Sequence, residues 1–219
     1  MKKYNENLKL LSQNHIYSNE MEHDACGIGL IASTEGKKSR KVVDYGIEAL
    51  KAVWHRGAVD ADGKTGDGAG IHLEIPKDFF IEKIQVTGHD YDESEICVGM
   101  IFLPRNDYSA QESSKTIVES ELTKSNFSIY GWRQVPVNPK VLGEKAFQTM
   151  PEIIQVLFKS NDPDLLDKDL ERKIYETRKK IEIKADNLSL NDFYVCSMSS
   201  KSIIYKGMFL AEGLSLIHI

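Results

Sequence analysis

Apolar positions along the chain change period several times, and each change predicts an element. Val43, Ile47, Leu50 and Trp54 recur at steps of four, three and four, the spacing of one helix face, and Gly57 ends that helical region. Ile71-His72-Leu73-Glu74-Ile75 alternates strictly between apolar and polar, predicting a half-buried strand stopped by Pro76. A short helix opens at Asp78-Phe79-Phe80, and a loop rich in Asp and Glu covers residues 89 to 95. The unbroken apolar run 96–103 predicts a buried strand with Cys97 as a core thiol. Residues 107 to 124 read as a polar helix turning Ile117, Val118 and Leu122 inward. Phe127 to Val135 is a strand broken by Pro136 and Pro139, and residues 153 to 158 are a further buried strand. After the turn Asn161-Asp162-Pro163-Asp164 comes a long charged helix with Leu170, Ile174 and Ile181 on one face and a solvated face of Lys, Arg and Glu. Phe193 to Met198 and Ser202 to Met208, joined by Ser199-Ser200-Lys201, predict a hairpin.

Strands and helices interleave, so periodicity by itself allows a parallel α/β sheet. The hairpin and the short connections favour an antiparallel α+β arrangement. No repeat, low-complexity segment or linker divides the chain.

Composition narrows the function classes. The 219 residues can hold one large domain or two small ones, and 41% hydrophobic content suits a packed core. A net charge of −5 gives no reason to expect nucleic acid or an anionic membrane as partner. No run approaches the ~18 apolar residues of a membrane span, and Lys2 and Lys3 are followed by no signal-peptide apolar stretch. The three cysteines, Cys26, Cys97 and Cys196, lack metal-ligand spacing and suggest a reduced, cytoplasmic chain without a metal site.

Candidate chemistry begins at Asp24-Ala25-Cys26-Gly27-Ile28-Gly29-Leu30-Ile31-Ala32. From Cys26 onward this is a small-residue apolar stretch that predicts a strand, preceded by a polar leader. Two readings stand. Cys26 is a buried structural thiol, or cleavage after Ala25 frees an α-amine of pKa near 8 that serves as the cysteine's own general base. His55 and Arg56 sit where the first helix ends, a place that suits cations in any protein. The Gly/Asp-rich stretch from Asp60 to Gly70 is not a P-loop, because Ala58 stands where the first glycine is needed and a helix precedes it. It is not a calcium loop either, since the twelfth position from Asp60 is Ile71. It reads as a tight turn whose glycines allow close backbone approach.

The Cys-Gly start, Trp54-His55-Arg56-Gly57 and Ala61-Asp62-Gly63-Lys64-Thr65-Gly66-Asp67-Gly68-Ala69-Gly70 together resemble the class II glutamine amidotransferases, which are N-terminal-nucleophile hydrolases. The last of these stretches is similar to the large subunits of glutamate synthases. Tyr130-Gly131-Trp132-Arg133, Val141-Leu142-Gly143, Asp192 to Ser197 and Tyr205-Lys206-Gly207 agree. The resemblance implies a four-layer αββα sandwich with antiparallel sheets, of which this chain is the front portion. It implies a propeptide over residues 1–25, a glutaminase domain over 26–213, and a tail at 214–219 that departs from the family pattern. It implies Cys26 as nucleophile and, through its α-amine, general base, with Arg56 supporting it and His55 structural. The residues that bind the substrate would lie beyond Ile219.

The implied reaction is hydrolysis of L-glutamine to glutamate and ammonia. In a full-length enzyme the ammonia would feed reductive amination of 2-oxoglutarate, with FMN and a 3Fe-4S cluster on other domains and a small NAD(P)H-oxidising subunit or ferredoxin as electron partner. No cofactor is implied within this chain. Two alternatives remain at this level: another class II amidotransferase, whose strand usually reads Cys-Gly-Ile-Val-Gly rather than Cys-Gly-Ile-Gly-Leu, or a non-catalytic regulatory domain of the same fold. The leader predicts that the mature full-length protein begins at Cys26. Intact-mass analysis checks it, and a functional species retaining residues 1–25 refutes it.

Overall fold

The computed structural model describes residues 27–53, 57–89 and 96–211, together with positions 6, 7, 9, 10 and 13. The order is α1 (Arg40–Ala52), β1 (Ala69–Glu74), α2 (Lys77–Gln85), β2 (Cys97–Leu103), α3 (Tyr108–Lys124), β3 (Phe127–Gln134), a 3-10 turn (Pro139–Val141), α4 (Glu144–Gln148), β4 (Glu152–Ser160), α5 (Asp167–Asn187), β5 (Tyr194–Ser199) and β6 (Ser202–Gly207). The Ser39 hydroxyl accepts the Lys41 N–H at the start of α1, and the Asp107 carboxylate accepts the Ala110 N–H at the start of α3. Most elements match the periodicity. β1 alternates in burial as its sequence does, and β2 is buried almost throughout.

All pairings are antiparallel. One sheet has the order β3-β4-β2-β5, the other is the pair β1-β6. The sheets share a core in which Ile71, Leu73, Ile203 and Tyr205 of the small sheet meet Val98, Met100, Tyr130 and Leu157 of the large one. The other face of the large sheet, with Ile101, Val156 and Phe158, packs under α3 and α5 through Val118, Leu122, Ile174 and Ile181. On the small sheet's side, α1 places Val43, Ile47 and Leu50 against Ala69 and Ile71 of β1 and against Leu142 and Phe209. The sequence of layers is helices, large sheet, small sheet, helix: the expected α+β sandwich with antiparallel sheets.

Two expectations are corrected. β5 and β6 are not a hairpin: β5 pairs with β2 and β6 with β1, so the chain crosses from one sheet to the other between Ser199 and Ser202. The cause is local. The Glu171 carboxylate on α5 accepts from the Ser199 hydroxyl at 3.0 Å, the Ser200 N–H at 2.7 Å and the Ser200 hydroxyl at 2.6 Å, while the Ser199 oxygen accepts the Lys201 and Ser202 N–H groups. The corner's polar groups are satisfied by a side chain instead of a ladder. The second correction concerns the strand expected from Cys26 to Ala32. Residues 27–32 are unpaired, with Ile28 93% and Leu30 88% exposed. Gly27 and Gly29 weaken any strand entropically, and among the described residues no strand lies beside them to take their hydrogen bonds.

The charged helix α5 is also less solvated than expected. Besides Glu171, Arg178 donates to the Val195 carbonyl at 2.9 Å, and Lys184 pairs with Glu121, a buried acid on α3 that Lys124 also approaches. Hydrogen bonds from Lys184 hold the Glu121 carboxyl below the ordinary range. The leader's cleavage point, most of the loop at 89–95 and the tail at 214–219 lie outside the described residues. Glu171→Ala removes three bonds to a charged acceptor at the sheet-to-sheet corner and is expected to cost about 1–3 kcal/mol. Urea unfolding against the unaltered chain measures this.

Candidate functional site

Cys26, His55 and Arg56 lie outside the described residues, so the site is built from what flanks them. Gly27 to Ile31 and α1 form one wall of a groove of about 1140 Å³, whose other wall is β1 from Gly70 to Glu74. On the chain's other side Asp67, Gly68, Leu142, Ile204 and Phe209 help to line a mostly apolar cleft of about 710 Å³. Gly70, Ile71 and His72 belong to both linings. The first half of β1 is therefore the partition between the neighbour of Cys26 and the loop that follows Arg56.

That loop is a short ladder. Asp60 N–H donates to the Thr65 carbonyl at 2.9 Å, Val59 bridges Gly66, and Ala58 N–H donates to the Asp67 carboxylate at 2.9 Å while Asp67 N–H donates to the Ala58 carbonyl at 3.3 Å. At the tip, the Asp62 carboxylate accepts the Lys64 N–H, the Thr65 N–H and the Thr65 hydroxyl at 2.9, 2.7 and 2.6 Å. These bonds, the Thr65 hydroxyl first, hold the Asp62 carboxyl far below the carboxylate range. Lys145 at the start of α4 pairs with Asp60 at 2.6 Å, which lowers the Asp60 carboxyl and raises the Lys145 amine. Gly143, just before α4, abuts the Asp62 and Thr65 side chains so closely that a Cβ would collide with them. Gly68 leaves the loop at φ +119°, a conformation suited to glycine. The tight turn inferred from the glycines is present, and its docking partner is the Val141-Leu142-Gly143 segment.

The remaining motifs converge on β6. Arg133 donates to the Gln155 side-chain oxygen at 2.7 Å, and the Gln155 amide donates to the Tyr205 hydroxyl at 3.3 Å. Gln155 is fully buried, and burial pushes the Tyr205 phenol up and the Arg133 guanidinium down. Ile204 N–H donates to the Ser197 hydroxyl at 3.2 Å. Thus Arg133, through Gln155, and Ser197 each tie the large sheet to neighbouring residues of β6.

Neither described cysteine suits a nucleophile. Cys97 is fully buried under α3 and α5. Cys196 lies in the core between the sheets with its sulfur 3.7 Å from the Ile204 carbonyl, and burial pushes its thiol up. Among the described residues no three His, Cys, Asp or Glu side chains cluster as metal ligands, and no helix is long and apolar enough to cross a membrane. Sequence reasoning missed Lys145, Gln155 and Asp62. The Asp62-x-x-Thr65 spacing of a self-capped turn could have signalled the last, whereas Lys145 is 85 residues from Asp60.

Comparison with known proteins fits this arrangement. The family described as Glutamine amidotransferases class-II matches residues 26–218. The chain is 51% identical over 212 residues, 97% of its length, to the glutamate synthase (NADPH) large chain of Azospirillum brasilense, of which it covers 14%. It is 40% identical over 200 residues, 90% of its length, to ferredoxin-dependent glutamate synthase 1, chloroplastic/mitochondrial, of Arabidopsis thaliana, covering 12% of it. It is 39% identical over 206 residues, 91% of its length, to ferredoxin-dependent glutamate synthase of Pyropia yezoensis, covering 13% of it. The chain thus spans roughly one-eighth of the length of these relatives.

A lowered carboxyl contributes order above its unfolded value and loses it as pH falls. Asp62 starts from 3.8, so amide-exchange protection at Lys64 and Thr65 is expected to hold at pH 5 to 7 and to decline below about pH 4. Asp62→Ala should remove it severalfold at neutral pH, read by hydrogen exchange at those two amides.

Proposed function

Because the chain belongs to the class II glutamine amidotransferases, we propose that it is the glutaminase part of a glutamate synthase large chain, releasing ammonia from L-glutamine at Cys26. The observation that carries this reading is 51% identity to such a large chain along 97% of the sequence. Two others support the nucleophile: the family match begins at Cys26 itself, and the two remaining cysteines are core thiols.

In this reading residues 1–25 are a propeptide and residues 26–213 belong to the front portion of an N-terminal-nucleophile glutaminase domain. Removal of the propeptide turns the Cys26 nitrogen from an amide into an amine of pKa ~8. The sulfur attacks the side-chain amide carbon of glutamine as the amine takes the thiol proton. The amine then delivers that proton to the departing nitrogen, ammonia leaves, and a γ-glutamyl thioester remains. Water hydrolyses the thioester, releasing glutamate and restoring the thiol. A positioned base of this kind contributes on the order of 10²–10⁴ in rate. Arg56 supports the charge that develops beside the sulfur.

The full-length protein would pass the ammonia to reductive amination of 2-oxoglutarate in the cytoplasm. A small NAD(P)H-oxidising subunit or ferredoxin would supply electrons, and the higher identity to the NADPH form favours the former. A 3Fe-4S cluster is held by cysteine thiolates. Cys97 and Cys196 face opposite sides of the large sheet, so they do not fit as ligands of one cluster. The cluster and FMN are assigned to the length this chain does not cover.

In the full-length enzyme, Cys26→Ser and Cys26→Ala should abolish glutamine-dependent glutamate synthesis and spare synthesis from supplied ammonia. Serine fails because its proton is far harder to remove than that of a thiol with pKa about 8.5. Arg56→Ala should lower the glutamine-dependent rate less completely. Cys97→Ala should cost about 1–3 kcal/mol of stability by opening a small cavity, without loss of chemistry. Equal loss of both activities in Cys26→Ala, or alkylation of Cys97 rather than Cys26 by a glutamine-like chloroketone, overturns the assignment.

A further inference from the structure

We propose that the apolar cleft is a binding site for a small organic carboxylate, its anionic end on the Lys206 ammonium and its hydrocarbon body along the cleft wall. The inference goes beyond the chemistry proposed for Cys26 and does not depend on it. It starts from two side chains of the sequence motifs that the glutaminase reading leaves without a task, Tyr194 and Lys206. The fold brings them together. Lys206 Nζ donates to the Tyr194 hydroxyl at 2.8 Å and lies 4.4 Å from the centre of its ring. Tyr194 in turn rests against Phe102, with ring centres 5.8 Å apart.

A glycine on the neighbouring strand makes room for the lysine. Gly70 faces Lys206 across the β1–β6 ladder, and a Cβ there would lie 2.9 Å from the Lys206 Cβ and 2.9 Å from the Tyr205 carbonyl oxygen. Lys206, Phe102, Ile153 and Ile204 line the cleft of about 710 Å³, whose size and apolar walls suit a small ligand. An ammonium has three donors, and Lys206 spends one of them on a neutral phenol. Among the described residues no carboxylate pairs with it. The acid in the cleft wall, Asp67, gives its Oδ2 to the Ala58 N–H instead. A cation in an apolar wall without a counter-ion selects an anion whose body is apolar. One lysine matches the single charge of a carboxylate, which a phosphate monoester exceeds. The carboxylate oxygens would take the remaining donors in charge-assisted hydrogen bonds.

The test titrates the full-length enzyme with butanoate, pentanoate and hexanoate by calorimetry, with hexan-1-ol as the uncharged control. Affinity is expected to rise about fourfold with each added methylene, as burial of a CH₂ group requires. Hexan-1-ol should bind at least about tenfold more weakly than hexanoate. Lys206→Met keeps the stem and removes the charge, and should weaken hexanoate about 10- to 100-fold while leaving hexan-1-ol unchanged. Lys206→Arg retains the cation and should stay within about tenfold. The two variants separate this cleft from any other carboxylate site of the enzyme. Should Lys206→Met fail to accumulate, the chain-length series and the alcohol control on the unaltered enzyme decide the matter. Four results overturn the inference: unchanged hexanoate affinity in Lys206→Met, affinity independent of chain length, hexan-1-ol binding as tightly as hexanoate, or no hexanoate binding at all. The last is the outcome expected if the rest of the large chain fills the cleft.

Discussion

Between Ser199 and Ser202 only two residues carry the chain out of one sheet and into the other, and the architecture depends on how that corner is held. Glu171 reaches it from α5, a helix on the far side of the large sheet, and takes three hydrogen bonds from Ser199 and Ser200. Just beyond the corner, Ser197 and Cys196 on β5 face the backbone of Ile204 on β6. With β6 laid across the large sheet in this way, Ile203 and Tyr205 enter the shared core, and β1 follows because it is paired to β6 from Ala69 to Glu74. The loop preceding β1 inherits its place from that pairing. The position of the candidate site is thus several steps removed from the residues that set it.

The shared core contains a polar element that fixes the relation of the sheets more sharply than apolar contact could. Gln155 on β4 accepts from Arg133 on β3 and donates to Tyr205 on β6. Hydrophobic burial is nearly indifferent to a small slide of one sheet over the other. A fully buried amide is not, because losing a partner leaves a desolvated donor or acceptor at a cost of about 1–3 kcal/mol. This explains why motifs distant in sequence belong together: Tyr130–Arg133 and Tyr205–Gly207 are the two ends of a single registration device.

Legibility in the sequence followed the range of the interactions involved. Elements governed by their own periodicity were readable: the stripe of α1, the alternation of β1, and the apolar run of β2 beside its buried thiol Cys97. The β5–β6 connection was not, because a three-residue Ser-Ser-Lys link suits a hairpin equally well and the deciding group, Glu171, is 28 residues from Ser199. The antiparallel conclusion stands, but on the four ladders and not on the hairpin that suggested it. The stretch after Cys26 has the composition of a strand. A strand also needs a neighbour, and Gly27 to Ala32 has none among the described residues. At the site, the glycine-rich turn is legible from its composition, whereas Cys26 and Arg56 lie outside the described residues. Lys145, which docks that turn, is not, because an ordinary lysine carries no signature until the fold brings its partner Asp60 near.

The electrostatics of the described residues bear on which groups could do acid–base work. The carboxyls of Asp60, Asp62 and Glu121 are lowered by hydrogen bonds, the Lys145 and Lys184 amines are raised by theirs, and burial raises Tyr205 and Cys196. Each of these shifts moves the group further from neutrality, whereas a side chain acting as general base works best with a pKa close to the operating pH. The groups around the loop are thus tuned to stay charged and hold structure. That division of labour is coherent if the base is carried by the nucleophile's own residue, since an α-amine lies near pH 8 without any tuning. The Asp60–Gly68 loop, closed by backbone rungs, docked by Lys145 and pinned at Ala58 by Asp67, belongs to that structural set.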